Sequence, residues 1–350
     1  MARSPDEFIT KAWYAGAAWL YLLWPLSVLY FLIISLRKWC YRRGVFKVYR
    51  SGLPLIVVGN ITVGGTGKSP LVCYLVESLR EQGFTPGIVS RGYGAKLGKT
   101  EVREVSVHSL PSEVGDEPLM LKRRLACPVF VSPSRVAAVK AIEHAGCDII
   151  VADDGLQHYA LARDIEICVF DGKRKWGNGH LLPMGPLREP ISRIQSIPFL
   201  VNNGTHKAQS YGQAALSQRT FCMSLVAEHL LNLKDGRARP LADFTGQSVH
   251  AVAAIGHPER FFKTLGKAGL KIISHAFPDH HAFQVQDFNF ADESASAGDA
   301  KLTTELPIIM TEKDAVKCQS FELENAWYLP VSACLNGNLT GQIINTLDNK

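Results

Sequence analysis

The run Leu53-Pro-Leu-Ile-Val-Val-Gly59 passes directly into Asn60-Ile-Thr-Val-Gly-Gly-Thr-Gly-Lys-Ser69. The first part is an apolar stretch of strand length, the second a glycine-rich turn, and an amphipathic helix is predicted from Lys68 to Gln82, stopped by Gly83. Glycines in such a turn let successive backbone N–H groups face phosphate oxygens. The lysine reaches the β- and γ-oxygens, and the Ser/Thr hydroxyl binds Mg2+. Thr62, Val63, Gly64, Gly65, Thr66, Gly67, Lys68 and Ser69 are therefore the candidate ATP-binding set, with Lys68 catalytic and Ser69 a metal ligand. Thr62 stands where the pattern G-x-x-x-x-G-K-[ST] begins with glycine; Gly64, Gly65 and Gly67 keep the backbone free.

Outward from this loop, short apolar runs alternate with amphipathic stretches. Strands are predicted at Gly87–Ser90, Val129–Ser132, Cys147–Ala152, Ile165–Asp171 and Pro198–Val201, with a helix at Ser134–His144. A second set follows: strands at Val249–Ile255, Lys271–His275, Pro307–Thr311 and Trp327–Val331, and a helix at Pro258–Ala268. Strands separated by helices imply an α/β fold with a mostly parallel sheet. The polar stretch Asn202–Gly212 is the expected boundary between a kinase-like core, 51–205, and a smaller C-terminal α/β subdomain, 206–350. Phe290–Lys301 is a polar helix or loop, and no internal repeat is visible.

Asp148-Ile-Ile-Val-Ala-Asp-Asp154 is an apolar strand ending in two carboxylates, as a Walker-B position requires, so Asp153 and Asp154 are candidate Mg2+ ligands. Gly115-Asp-Glu-Pro118 sets Asp116 and Glu117 at a helix start, where Asp116 is either a helix cap or a functional acid. The turn-rich segment Asn178–Pro190 ends in the charged pair Arg188 and Glu189. Phe277-Pro-Asp-His-His281 offers an imidazole beside a carboxylate; its two adjacent histidines point different ways, so at most one is catalytic. His158 follows the Walker-B-like acids closely enough to share their setting.

Composition narrows the class. Of 350 residues, 47% are hydrophobic and 20% charged, which excludes a disordered chain. Arg37, Lys38, Arg42, Arg43, Lys47 and Arg50 lie together without an acid, and these six equal the whole net charge of +6. A nucleic-acid binder would spread its basic surface over the folded body, so none is expected as partner. Instead the cluster follows an uncharged run, Ala12–Leu36, flanked by Trp13, Tyr14, Trp39 and Tyr41. As one helix of about 25 residues it would extend roughly 38 Å, enough to cross a hydrocarbon layer of about 30 Å. Residues 1–50 thus read as a membrane helix with a basic juxtamembrane stretch on the cytoplasmic side. Pro25 would kink or break that helix, which either spans or lies flat in one leaflet. The eight cysteines are scattered, without zinc or CxxC spacing, and read as free thiols in a reducing compartment.

Together these motifs resemble the tetraacyldisaccharide 4'-kinase family. The resemblance also takes in Ser90-Arg-Gly-Tyr-Gly94, Ala152-Asp-Asp-Gly-Leu-Gln-His158, Gly177-Asn-Gly, Leu182-Pro-Met-Gly-Pro-Leu-Arg-Glu189 and Thr311-Glu-Lys-Asp314, in order along almost the whole chain. It implies transfer of the ATP γ-phosphate to the 4'-hydroxyl of a tetraacylated glucosamine disaccharide 1-phosphate, at the cytoplasmic face of the inner membrane, with no obligatory protein partner. It also implies that Asp116 is the base, paired with His280, while Glu117, His158, Arg188 and Glu189 serve substrate or charge. The main rival is a membrane-anchored partitioning or targeting ATPase. That class carries a lysine early in the loop, where this chain has Val63.

Overall fold

The computed structural model describes residues 5–204, 218–290 and 306–349, with the side chains of 5–7 outside it. In chain order the strands are β1 (Leu55–Gly59), β2 (Pro86–Ser90), β3 (Arg103–Glu104), β4 (Val129–Val131), β5 (Ile149–Asp153), β6 (Ile165–Asp171), β7 (Phe199–Asn203) and β8 (Thr220–Val226). They continue with β9 (His229–Asn232), β10 (Ala238–Pro240), β11 (Ser248–Ala253), β12 (Lys271–Ala276), β13 (Ile308–Thr311), β14 (Ala326–Leu329) and β15 (Ser332–Leu335).

Nine of these form one sheet in the order β15-β8-β7-β6-β1-β5-β2-β4-β3. Every neighbour from β8 to β4 is parallel; only β15 and β3, at the edges, run antiparallel. Both faces are covered, so the central strands need apolar residues at every position. Ile56 and Val58 enter the core on one face with Leu71, Leu75 and Leu79 of the helix Lys68–Glu81; Leu55 and Val57 enter the other with Val139 and Ile142. This two-residue alternation explains why β1, β2 and β5 read as unbroken apolar runs. β1 is central, with its phosphate-binding turn at the carboxyl end, where open α/β sheets bind ligands.

The second sheet has the order β10-β9-β14-β13-β11-β12, parallel from β14 to β12 and antiparallel at β9 and β10. Sheet membership does not follow the expected division at 205/206. β8, β15 and the helix Leu339–Asp348 lie beyond it in sequence yet complete the first sheet, with Leu339 and Ile343 in the same core as Leu71. The strands on either side of the polar stretch read as a boundary belong to one sheet, since β7 pairs in parallel with β8. Most of that stretch, and of Phe290–Lys301, lies outside the described residues.

The N-terminal run is not one helix. A helix at Pro5–Ala15 stops at Gly16, which holds φ +67°; a 3-10 segment, Ala18–Leu23, then leads into a helix at Trp24–Arg42. Pro25 falls in the first turn of that last helix, where its missing N–H has no partner to lose. One side of this assembly docks on the segment Gly177–Glu189. Leu20 packs against Met184, Trp13 Nε1 donates to the Pro183 carbonyl at 2.9 Å, and Tyr30 Oη donates to the Arg188 carbonyl at 3.0 Å. Leu22, Leu26, Leu29, Leu32, Ile33 and Leu36 remain exposed. The stretch Ala18–Arg42, 25 residues containing an 18-residue window of mean hydropathy 1.9, is long and apolar enough to cross a membrane. Five of the eight cysteines are buried, and no disulfide joins any of them among the described residues.

Candidate active site

Two groups of side chains meet at the carboxyl ends of the strands. The first surrounds the phosphate loop. Gly67 starts the helix with φ +93°, and a Cβ there would collide with the Asn203 amide, which donates to the Thr66 carbonyl at 2.9 Å. Glycine alone meets both conditions. Lys68 Nζ lies 3.3 Å from Asn60 Oδ1 and 3.5 Å from Asp154 Oδ1. Arg188 Nη1 approaches both Asp154 carboxylate oxygens at 3.3 Å. Burial opposes ionisation of Asp154, but Lys68 and then Arg188 hold its carboxyl below the usual range.

Asp153, at the end of β5, has a different environment. Its side chain is 2% exposed and its Oδ1 finds no hydrogen-bond partner among the described residues. Burial, and after it the negative charge of Glu117, push its carboxyl up to about 7. Beneath the pair, buried Arg135 donates from Nη2 to the carbonyls of both Asp153 and Asp154 at 3.1 Å, fixing the turn at Asp154, where φ is +49°. An orphaned carboxylate oxygen beside a phosphate loop suits a divalent cation. Among the described residues no three acids, histidines or cysteines gather as a metal cage. That fits Mg2+, which takes most of its ligands from phosphate and water.

The second group contains the pair expected from resemblance. Gly115, at φ +89°, holds the cap position, so Asp116 is already the first residue of the helix Asp116–Leu125 rather than its cap. Its Oδ2 lies 3.1 Å from His280 Nδ1. Lys313 Nζ stands 3.3 Å from His280 Nε2 and 3.2 Å from Asp279 Oδ1. An ammonium can only donate, so Nε2 accepts, and the neutral ring carries its proton on Nδ1 toward Asp116. Burial works against the Lys313 charge, yet Glu117 and Asp279 hold its pKa above the ordinary value. Tyr93, from Ser-Arg-Gly-Tyr-Gly, lies with its ring centroid 4.8 Å from that of His280. Glu117 joins the two groups: its Oε1 is 3.8 Å from Lys313 Nζ, and its charge acts on Asp153.

Long-range packing makes this meeting possible. The helix Glu312–Cys318, capped by Thr311, packs on Asp116–Leu125, and Arg124 ties them through Glu312 at 3.0 Å and the Val331 carbonyl at 2.8 Å. Lys313 was present in the sequence only as part of Thr-Glu-Lys-Asp; its role becomes visible once His280 is seen between it and Asp116.

Other expected residues stand apart from this constellation. Glu189 is 3% exposed and accepts from Gln157 at 2.8 Å and Tyr159 at 2.5 Å, with Arg193 at 3.3 Å. It faces a buried polar network while its neighbour Arg188 faces Asp154. His158 is kept neutral, its pKa lowered to about 4 by burial and by Arg135, Arg163, Arg37 and Arg91. His281 bonds Asp287 at 3.0 Å and stacks on Phe277. A further cation went unread: Arg174 donates from Nη2 to the Gly65 carbonyl at 2.5 Å and from Nε to Asp171 at 2.8 Å. Asp171 also pairs with Arg260 of the helix Pro258–Lys267, so the phosphate loop is tied to the second sheet's unit.

Known proteins bear on this geometry. The sequence model of the family described as Tetraacyldisaccharide-1-P 4'-kinase matches residues 19–348. A tetraacyldisaccharide 4'-kinase of Nitrosococcus oceani is 43% identical over 343 residues, covering 98% of this chain and 95% of the relative. The Halorhodospira halophila protein of that name is 48% identical over 309 residues, covering 88% and 86%. Among solved structures, LpxK from Aquifex aeolicus, crystallised in complex with ATP, superposes with a TM-score of 0.75 at 29% identity, covering 94% of this chain and 98% of that one. The chain belongs to the tetraacyldisaccharide-1-P 4'-kinase family.

Proposed function

We propose that this site transfers the γ-phosphate of ATP to the 4'-hydroxyl of a tetraacylated glucosamine disaccharide 1-phosphate, giving the 1,4'-bisphosphate and ADP. The observation that carries the reading is the Asp116–His280–Lys313 chain, facing the Lys68–Asp154–Arg188 group across Glu117. One group suits a triphosphate, the other a hydroxyl that must lose a proton.

The phosphate loop from Thr62 to Ser69 holds the triphosphate, and Lys68 balances charge on the transferred phosphoryl. Asp116 accepts the proton of the 4'-hydroxyl as its oxygen forms the new bond to phosphorus and the bond to the β-phosphate oxygen breaks. His280, donating to Asp116 from Nδ1, orients the carboxylate and shares the proton it accepts. Lys313 fixes the tautomer that makes this donation possible. Ser69, Asp153 and Asp154 are the residues that would hold Mg2+, which neutralises phosphate charge when bound. Lys68 and then Arg188 keep Asp154 ionised, and Arg188 adds a second cation beside the phosphate loop.

The nine-stranded sheet's unit supplies the nucleotide site, and the six-stranded sheet's unit supplies His280 and Lys313. Residues 1–50 hold the protein to the cytoplasmic face of the inner membrane, where an acylated substrate resides: the exposed apolar face of Trp24–Arg42 supports this. Incubation with γ-labelled ATP, Mg2+ and the tetraacyl disaccharide 1-phosphate in detergent tests the proposal. Label should appear in the lipid. ATP turnover unaffected by the acceptor, with no labelled lipid, would favour the partitioning-type ATPase.

A further inference from the structure

Where the exposed apolar face of the helix Trp24–Arg42 ends, a cavity of about 370 Å3 opens between that helix and the segment Pro190–Ser196. Lys38 and Arg42 line it from the helix; Ser192, Arg193 and Gln195 line it from the body. Its cations differ in their commitments. Arg193 is engaged by Glu166, by Glu189 at 3.3 Å and by Ser196 Oγ at 2.5 Å. Those two acids are fully engaged, Glu166 also by Arg163 at 3.1 Å and Glu189 by Gln157 and Tyr159. Among the described residues, neither Lys38 nor Arg42 has a carboxylate within ion-pair distance, and Lys38 is partly buried, 5.9 Å from the Tyr159 ring centroid. Glu189 and Glu166 act on Lys38 only at longer range and are already paired with Arg193, so the cavity holds an excess of positive charge, with Lys38 partly sheltered from water.

Its position along the helix says which anion. Leu29, Leu32, Ile33 and Leu36 are exposed in the turns before it, and Trp39 is exposed beside it. Along the helix axis the exposed apolar turns end at Leu36 and Trp39 follows, while Lys38 and Arg42 stand at that same level on the side turned to the body. This axial order matches the passage from acyl chains to headgroups. We infer that this cavity seats the phosphate of an anionic membrane phospholipid, with Lys38 and Arg42 as its charged ligands and the Ser192 hydroxyl as a further donor. The inference rests on the membrane reading of residues 1–50. It differs from general attraction by a polybasic stretch in being local: two of the six juxtamembrane cations line the cavity.

The test measures flotation of the full-length protein with phosphatidylcholine vesicles, with and without phosphatidylglycerol. Removing two interfacial charges from a defined site should weaken binding of Lys38→Gln/Arg42→Gln to the anionic vesicles about tenfold or more. Arg43→Gln/Lys47→Gln, which removes the same charge outside the cavity, should lose about threefold or less. Neither variant should change binding to phosphatidylcholine alone, nor KM for the disaccharide acceptor in neutral detergent. Equal losses in the two variants would reduce the effect to diffuse charge and overturn the site. A raised acceptor KM in Lys38→Gln/Arg42→Gln, with vesicle binding intact, would assign the cavity to the substrate's own phosphate and overturn it likewise. Failure of the unsubstituted protein to float with either vesicle would overturn the membrane reading and the site together.

Discussion

His280 Nδ1 lies 3.1 Å from Asp116 Oδ2, although 164 positions separate the two residues in the chain. One begins a helix of the nine-stranded sheet's unit; the other follows the edge strand β12 of the six-stranded sheet. Their pairing makes the proposed acceptor side of the site a joint property of both units. Asp116→Ala should fold, bind ATP and lose at least about a hundredfold in kcat, the range expected for removal of a positioned base. Combining it with His280→Ala should cost much less than the product of the single losses, because paired residues act as a unit. Multiplicative losses in steady-state kinetics would dissolve the pair.

Lys313 is a positioning residue for that pair. Lys313→Met removes the donor to His280 Nε2 and frees the imidazole to change tautomer. The expected result is a smaller loss in kcat than for Asp116→Ala, together with a displaced pH–rate profile and unchanged ATP affinity. Partial recovery in Lys313→Arg would support the donor role; an unmoved pH profile would make Lys313 a mere packing element.

Arg188 and Glu189 are adjacent yet should separate cleanly. Arg188→Ala removes a cation from Asp154 and is expected to lower kcat by an order of magnitude or more, with little change in melting temperature. Glu189→Ala leaves the Tyr159 hydroxyl and the Gln157 amide without their buried acceptor and Arg193 with Glu166 alone, a loss on the order of 3 kcal/mol in stability. Thermal unfolding alongside kinetics distinguishes them, and a stable but inactive Glu189→Ala would return Glu189 to the reaction.

Ser27 ties the N-terminal helix to the body: its hydroxyl donates to the Leu181 carbonyl at 3.1 Å and accepts from the Met184 N–H at 3.0 Å. Ser27→Ala strands both groups, and an unsatisfied buried N–H costs about 1–3 kcal/mol. Denaturant unfolding in detergent should show that loss. An unaltered midpoint would mean that the helix is not docked on this segment in solution.

His158 sets an acid limit. Its folded pKa of about 4 is below the ordinary histidine value of 6.5, so the unfolded chain binds its proton first as pH falls. Stability should therefore decline from about pH 6.5 towards 4. The contribution at pH 5, discounted for partial exposure, is on the order of 1 kcal/mol. His158→Asn should flatten that decline in chemical denaturation between pH 7 and pH 5, and an equally steep decline would assign the acid sensitivity elsewhere.

The elements legible in the sequence are those whose local pattern is self-sufficient. β1, β2, β5 and β6 are covered on both faces, so they appear as continuous apolar runs, and the turn Thr62–Ser69 needs glycines that no other residue replaces. β8, β9 and β15 escaped notice because none is covered on both faces: β8 and β9 bury two residues each and β15 buries none, so no unbroken buried apolar run marks them. The 205/206 division does not match sheet membership for a related reason: the polarity of a stretch carries no record of which strands pair on either side of it. The same limit governed the site. Sequence alone determined a phosphate loop, two acids at the tip of a neighbouring strand and an apolar N-terminal run. The tertiary structure decided that Glu189 turns away while Arg188 turns in, that Lys313 completes the chain through His280 to Asp116, and that Arg174 reaches the loop. Each depends on which side chains are brought together from distant segments, and local propensity carries no record of that.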